Sequence, residues 1–451
     1  MSIISVIKRF MAPALPAPPN EYDQKYLDKL LSILRIYFNQ LDGLLGDIVS
    51  ATGTTAVSIG GTNVDAFGRV RASGPYTLFD SQNRYAASSL FDTSTATGGS
   101  TTYLTNESSL QLSVTTSSGS EVVRQSYRSF SYQPGKGLLV LATFVMNTGK
   151  TGLRQRAGYF NTQNGVFFQQ ADGINSFVLR SYVTGSVSDA RTVNQSSWNG
   201  DKLDGTGDSG YTLDTSKAQI LWMDFEWLGV GSVRCGFIIN GEYIVCHTFE
   251  NANSLSNVYM TTAILPVRYE ITNTAATASS SSMKQICSTV ISEGGYEKRV
   301  IPYVARMTTA NTGIGTSFVP LVSIRLASGR TGAVVIPDGY SVLPTSASST
   351  TFEVVMVKNP TLTGPSWVAS SSANVEQDIT ATAYTGGTIV HSQYVLASNL
   401  ASGLTGGNGD YNWDMQLGAT ISGTSDIYTI AVRTTSGTQT AIGTMSFWDL
   451  T

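Results

Sequence analysis

Two acids stand two positions apart in "LWMDFEW", residues 221–227: Asp224 and Glu226. On an extended strand such positions share a face. Two carboxyls about 5–5.5 Å apart across a sugar bond are what a retaining glycosidase needs. A fuller set would carry three acids at alternate positions, but Trp222 occupies the first. The nucleophile is therefore missing, and the pair reads better as a salt-bridged or solvated feature of a sheet face. A second oxygen-rich stretch, "WNGDKLDGTGDSGYTLD" (198–214), holds Asp201, Asp204, Asp208 and Asp214. Such loops can bind Ca²⁺, but this spacing does not follow the EF-hand order and also suits plain surface turns. "NTGKTG" around Lys150 lacks the upstream glycine and the following helix of a phosphate loop. The two histidines, His247 and His391, are too few for a histidine-based metal site. No Ser-His-Asp or Cys-His set assembles. The expectation is a chain without catalytic residues, metal or cofactor.

Three cysteines do not make a disulfide framework. Cys235 and Cys246 flank Asn240–Gly241, a two-residue hairpin signal, in "CGFIINGEYIVC". Pairing outward from the turn sets Ile239 against Glu242, Phe237 against Ile244, and Cys235 against Cys246. A hydrogen-bonded pair there would hold the Cα atoms about 5.5 Å apart, within reach of a disulfide. Free, buried thiols in a protein made in a reducing cytoplasm are the preferred reading.

Residues 65–85, "DAFGRVRASGPYTLFDSQNRY", crowd two acids and three arginines into a chain with only 13% charged residues. A hydrolytic site here would need a base, yet Asp65 and Asp80 stand beside Arg69, Arg71 and Arg84. Paired opposite charges lower carboxyl pKa values, the wrong direction for an acid at neutral pH. Arginine forks on carboxylates suit interfaces. Asp65, Phe67, Arg69, Arg71 and Asp80 are thus expected to form an interface strap. "TLFD" then enters the folded body, anchored by Leu78 and Phe79.

One segment carries a long helical period, residues 20–48. Asn20 is a fit N-cap. Leu27, Leu34, Leu41 and Ile48 recur every seven residues, with Leu30, Tyr37 and Leu44 at the matching d positions. Leu31, Phe38 and Leu45 widen the stripe beyond a two-stranded seam. It should be covered by more than one partner helix, or by a helix and a sheet. A lone helix of this kind most simply trimerises, through Leu27, Leu30, Leu34, Tyr37, Phe38, Leu41, Leu44 and Ile48. Pro13 to Pro19 ahead of it read as an extended arm.

The remaining sequence is a mainly β pattern of short strands between Gly, Ser, Asn and Asp turns. Expected strands include 110–115, 121–127, 138–146, 153–160, 176–183, 219–227, 232–239, 242–249, 266–272 and 286–292. The run from 219 to 249 resembles a lectin-type jelly roll of the concanavalin or laminin-G sort. Glycines and charges at 292–307 mark a boundary. Beyond it, strands are expected at 317–326, 351–358, 377–384, 388–396, 426–434 and 441–450. The division is an arm (1–19), an oligomerisation helix (20–48), a connector strap (49–75), a jelly-roll-like β-sandwich (76–295) and a second, smaller β-sandwich (296–451).

The net charge of −3 gives no basic face for nucleic acid. Lys8 and Arg9 follow rather than precede the first short apolar run, the reverse of a secretion signal. No apolar run reaches the ~18 residues of a membrane span. "LPAPPNEYDQKYLDKLLSILRIYFNQLD" and "VDAFGRVRASGPYTLFDSQNRY" resemble segments of virion structural proteins from tailed bacteriophages, chiefly those of marine bacteria. The resemblance covers residues 13–85. It implies a homotrimer, or a higher symmetric assembly, within a virion assembled in the host cytoplasm, partnered by capsid or tail proteins. A fibre, decoration or tail component is the expected role. The first rival is a lectin-like receptor-binding module for host surface glycan, with Trp198 or Trp413 as a sugar platform. The second is a polysaccharide depolymerase built on Asp224 and Glu226.

Overall fold

The structure, a computed structural model, describes residues 24–51, 74–345, 350–397, 405–407 and 413–451. The chain divides into two units, Met1–Ala72 and Ser73–Thr451. In the first, α1 spans Gln24–Ala51 and so runs past the expected end at Ile48. The arm, Asn20, and the strap residues Asp65, Phe67, Arg69 and Arg71 lie outside the described residues.

The second unit is built of strands. Its first half holds β1 (Tyr76–Gln82), β2 (Phe91–Ala96), β3 (Ser100–Leu104), β4 (Ser109–Val114), β5 (Glu121–Ser126), β6 (Leu138–Val145), β7 (Leu153–Phe160), β8 (Gly165–Ala171), β9 (Ile174–Ser181), β10 (Ser188–Asn194), β11 (Gln219–Phe225), β12 (Val233–Ile239), β13 (Glu242–Phe249), β14 (Val267–Asn273) and β15 (Ser281–Ser292). An eight-stranded sheet, ordered β13-β12-β11-β6-β15-β4-β3 with β1 also on β15, packs over a seven-stranded sheet, β10-β9-β8-β7-β14-β5-β2. Alternate residues of both point into one core, Phe144, Phe168, Phe177 and Phe237 among them. The result is a jelly-roll-like sandwich.

The second half holds β16 (Tyr303–Arg306), β17 (Asn311–Ile314), β18 (Val319–Leu326), β19 (Val335–Pro344), β20 (Thr350–Lys358), β21 (Thr361–Thr363), β22 (Val368–Ala369), β23 (Val375–Asp378), β24 (Ala383–Thr385), β25 (Thr388–Ala397), β26 (Thr405–Gly407), β27 (Ile427–Thr434) and β28 (Gln439–Asp449). A five-stranded sheet (β16-β28-β19-β26, with β17 on β28) and a six-stranded sheet (β22-β23-β18-β27-β20-β25) enclose a second core. The expected strand 377–384 is broken in two. Asp378, nearly buried, accepts hydrogen bonds from the N–H groups of Ser366, Thr380 and Ala381 and turns the chain there.

The two sandwiches share a seam. Val334 and Ile336 belong to the first core, whereas Val335 between them belongs to the second. A strand's twofold alternation divides its side chains this way when both faces are covered. The segment after Asp414 reinforces the seam. Gln416 donates to Ser129 O at 2.7 Å, the Ala419 N–H to Tyr127 O at 2.8 Å, and the Ile421 N–H to the Asp92 carboxylate at 2.7 Å.

The outer face of the seven-stranded sheet is closed by charge. Phe160, Phe167 and Val178 point away from the main core yet are fully buried. Arg156 and Arg180 lie over the Phe167 ring, and Arg268 lies over Phe160, at 5.1, 5.2 and 5.6 Å. Arg180 is held by Asp189, and Glu270 holds Arg156 and Arg268 together with Arg154. Its Oε1 accepts from Arg154 at 3.0 Å and Arg156 at 3.4 Å, and its Oε2 from Arg268 at 3.2 and 3.1 Å. Burial would raise the Glu270 carboxyl, but Arg268, Arg156 and Arg154 together hold it below its ordinary value. A lowered carboxyl stabilises the fold above its unfolded pKa, and that stability is lost as pH falls through the folded value. Glu270→Gln is expected to lower stability by about 3 kcal/mol at neutral pH, since buried arginines lose their counter-charge. Thermal melts across pH check this: the variant's midpoint should fall less than the parent's when the pH drops below the ordinary carboxyl value of 4.5.

Candidate functional site

Asp224 sits on the outer face of the eight-stranded sheet, in register between Leu139 of β6 and Arg234 of β12. β11 ends at Phe225, so Glu226 falls in the turn that follows rather than on the strand. That turn is sharp: Leu228 and Gly229 both adopt positive φ, and the Gly231 N–H returns to Trp227 O at 2.8 Å. Both acids nevertheless line one cleft of about 430 Å³, together with Tyr132, Lys136, Arg234 and Glu293. Sequence reasoning missed Glu293. It directly follows β15, which lies beside β6, and only sheet order reveals it.

The two carboxylates differ in their surroundings. Asp224 is engaged by the Arg234 fork through Nε at 2.9 Å and through Nη2. Ser232 Oγ reaches Glu226 Oε1 at 3.5 Å. Burial first, and the charge of Asp224 second, raise the Glu293 carboxyl above its ordinary value, while Arg234 opposes them. The Arg234 fork thus engages both oxygens of Asp224 in a bidentate ion pair.

Trp222, one step up the strand, explains the absent third acid. Its indole N–H donates to Ile244 O at 3.2 Å, and its ring meets Tyr243 edge-on at 5.5 Å. The indole lies beside Gly236, where an added Cβ would come within 1.8 Å of Ile244 O. The position is filled by structure.

The hairpin after β12 forms as expected at its tip. Asn240 and Gly241 both have positive φ, as a type I′ turn demands, and Ile239 faces Glu242 and Phe237 faces Ile244. The expected Cys235–Cys246 pairing is wrong. A β-bulge between Gly236 and Cys235 sets Cys235 opposite His247 and leaves Cys246 as the extra residue. Both thiols are free and fully buried, while Cys287 is free and exposed.

In the acidic loop 198–214, Asp201, Asp204 and Asp214 accept from nearby groups of the same chain segment. Asp201 accepts the N–H groups of Leu203 and Ser209, each at 2.8 Å; Asp204 accepts Thr206 N–H at 3.0 Å and Asp214 accepts Ser216 N–H at 3.1 Å. Among the described residues no group of three His, Cys, Asp or Glu is placed to hold a metal. His247 and His391 lie in different sandwiches. The loop's base instead runs along the edge of β13, with Gly200 N–H on Cys246 O at 2.9 Å and Asp201 N–H on Val245 O at 3.0 Å. Trp198, expected as an exposed platform, is buried in the first core at 2% exposure, its ring 4.7 Å from Phe177. The side chain of Trp413 lies outside the described part. Lys150 binds Ser279 and Ser280 and pins their loop.

Of the expected strap, only Asp80 is described; it is exposed on β1. Leu78 and Phe79 both reach the first core, although neighbours on a strand normally face opposite ways. A bulge between Thr77 and Phe79 allows it. On α1, no side chain from Gln24 to Phe38 is buried. Leu27, Leu30, Leu34 and Tyr37 are half-buried, and Leu31, Ile36 and Phe38 are more than half exposed. Leu41, Leu44 and Ile48 continue the helix, their side chains outside the described part.

Neither a protein-family model nor a curated protein sequence matches the chain. Among solved structures, a family 16 glycosyl hydrolase from Mycobacterium smegmatis aligns over 48% of this chain and all of its own, at 11% identity and a TM-score of 0.33. A β-glucanase from Bacillus licheniformis covers 49% of this chain and 99% of its own, at 10% identity and a TM-score of 0.30. Arcelin-5, a lectin-like defence protein from Phaseolus vulgaris, covers 49% and 100%, at 9% identity and a TM-score of 0.31.

The burial of two thiols gives a direct check. Burial pushes the Cys246 thiol up to about 12 and raises Cys235 well above its ordinary value. A disulfide-exchange reagent at pH 8 is expected to modify Cys287 alone in the native chain, and all three cysteines after denaturation. Rapid modification of a second native thiol would contradict the burial of Cys235 and Cys246.

Proposed function

We propose that this chain is a non-enzymatic structural component of a bacteriophage particle: a fibre, decoration or tail element. It docks by its N-terminal arm, self-associates through α1 as a homotrimer, and displays the double sandwich to neighbours or to the host. The observation that carries this reading is α1. A helix with a seven-residue apolar repeat and no buried side chain from Gln24 to Phe38 has a face that requires covering. The Asp224–Arg234 ion pair supports the non-enzymatic part, because it turns the best acid of the cleft into a structural one.

A lectin-like receptor-binding role is the second reading. The observation in its favour is the cleft itself, whose Lys136, Glu226 and Glu293 offer donors and acceptors on the outer face that also exposes Tyr243. Specific binding on a glycan array would favour it. Depolymerase activity abolished by Glu226→Gln would replace both readings with an enzyme.

Light scattering of the purified chain tests the main reading. The expected mass is about three times the 48.0 kDa chain. Leu34→Asp with Leu41→Asp is expected to collapse it toward a single chain, because a charge buried without a partner costs several kcal/mol. A parent mass of one chain would sink the proposal.

A further inference from the structure

Edges of β-sheets attract other strands, and proteins blunt them with charge, bulges, brevity or cover. In this protein most edges are blunted. β13 is covered by residues 199–201. β10 carries Asp189 and Arg191 and a register shift between Ser188 and Arg191. β1 carries Asp80 and a bulge, and β2 carries Asp92, which is bound to Ile421 N–H. β3 has five residues, rich in Ser and Thr. β16, β17, β22 and β26 have between two and four residues each.

β25 departs from this pattern. It is a ten-residue edge strand, "TIVHSQYVLA", without an acid, a lysine, an arginine or a proline. One side pairs with β20; among the described residues nothing pairs with the other. A bulge at Val390 leaves the stretch from His391 to Ala397 in regular register. Its outer face shows Ile389, Tyr394 and Leu396 at 51%, 63% and 64% exposure. Its inner face is fixed: Val395 enters the second core and the His391 ring meets Tyr340 Oη at 2.9 Å. Opposite Tyr394, Glu353 is bound to Arg433 at 2.6 Å, so the two charges beside the strand form an ion pair.

We propose that β25 is an association edge that takes up β25 of a second copy, antiparallel, joining two six-stranded sheets across a twofold axis. A row of outward N–H and C=O groups selects an extended strand as the partner. The absence of charge selects the same strand from another copy. In an isologous contact each residue near the axis meets its own kind, so any charged residue there would repel itself. Among the described strands, β25 is the long, uncharged and exposed one that meets both requirements. The contact is separate from α1, so it would double whatever unit α1 builds.

The test uses the full-length chain carrying Leu34→Asp and Leu41→Asp, followed by sedimentation equilibrium and amide hydrogen exchange over a wide range of concentration. The expected result is a doubling of mass with concentration, accompanied by slower exchange of β25 amides. Adding Tyr394→Lys and Leu396→Lys is expected to weaken the association about tenfold or more, or about 1.4 kcal/mol, with an unchanged melting midpoint. If α1 assembly survives its own substitutions, the doubling is read on that larger species, so the two readings fail separately. A mass independent of concentration would overturn the proposal. So would association that leaves β25 exchange unaltered, or that ignores the lysines. Should the lysine variant not fold, the parent's β25 exchange decides: protection rising with concentration supports the proposal, and constant protection overturns it.

Discussion

Val334, Val335 and Ile336 point alternately into two hydrophobic cores, and the joining of the two sandwiches into one compact unit depends on that alternation. A linker between sandwiches would let them swing, because small polar domain junctions permit relative motion. Here the connection is made of core residues. Prising the sandwiches apart would expose apolar surface from both at once. The hydrogen bonds from Gln416 and Ala419 to the 127–129 segment then fix the angle.

Much of the fold was legible in the sequence because alternation and turn residues carry it. β7 and β13 fall on the expected residues 153–160 and 242–249, and the Asn240–Gly241 turn was readable from two residues. The failures share a cause: local signals that the tertiary structure redirects. β19 is not among the expected strands, and Pro337-Asp338-Gly339 within it has the composition of a turn. It is a bulge instead, with Asp338 displaced from the ladder to accept the Trp448 indole N–H at 2.6 Å. The opposite error occurred at 377–384, where an apparently strand-like run hides a turn built on Asp378. The Cys235–Cys246 pairing failed because one extra residue shifts a register and no composition announces it.

The candidate site was less legible than the fold. Asp224 and Glu226 were visible as a pair, but Arg234, which governs Asp224, comes from the next strand, and Glu293 directly follows a strand nearly seventy positions away. Which acids are already spent on the protein's own donors cannot be read from spacing. Asp201, Glu270 and Asp378 all prove to be structural: each is ringed by N–H groups or guanidinium groups that the backbone brings together. In a chain with so few charges, most of the buried ones serve as fasteners.

The loop from Trp198 to Asp214 has a duty that its acidity conceals. By laying Gly200 and Asp201 along the rim of β13, it occupies the backbone groups of Cys246 and Val245. A protease cut within that loop would free one end of this cover and offer bare backbone to any passing strand. The loop therefore covers part of an open edge of the first sandwich, and Asp201 holds that cover in its folded shape.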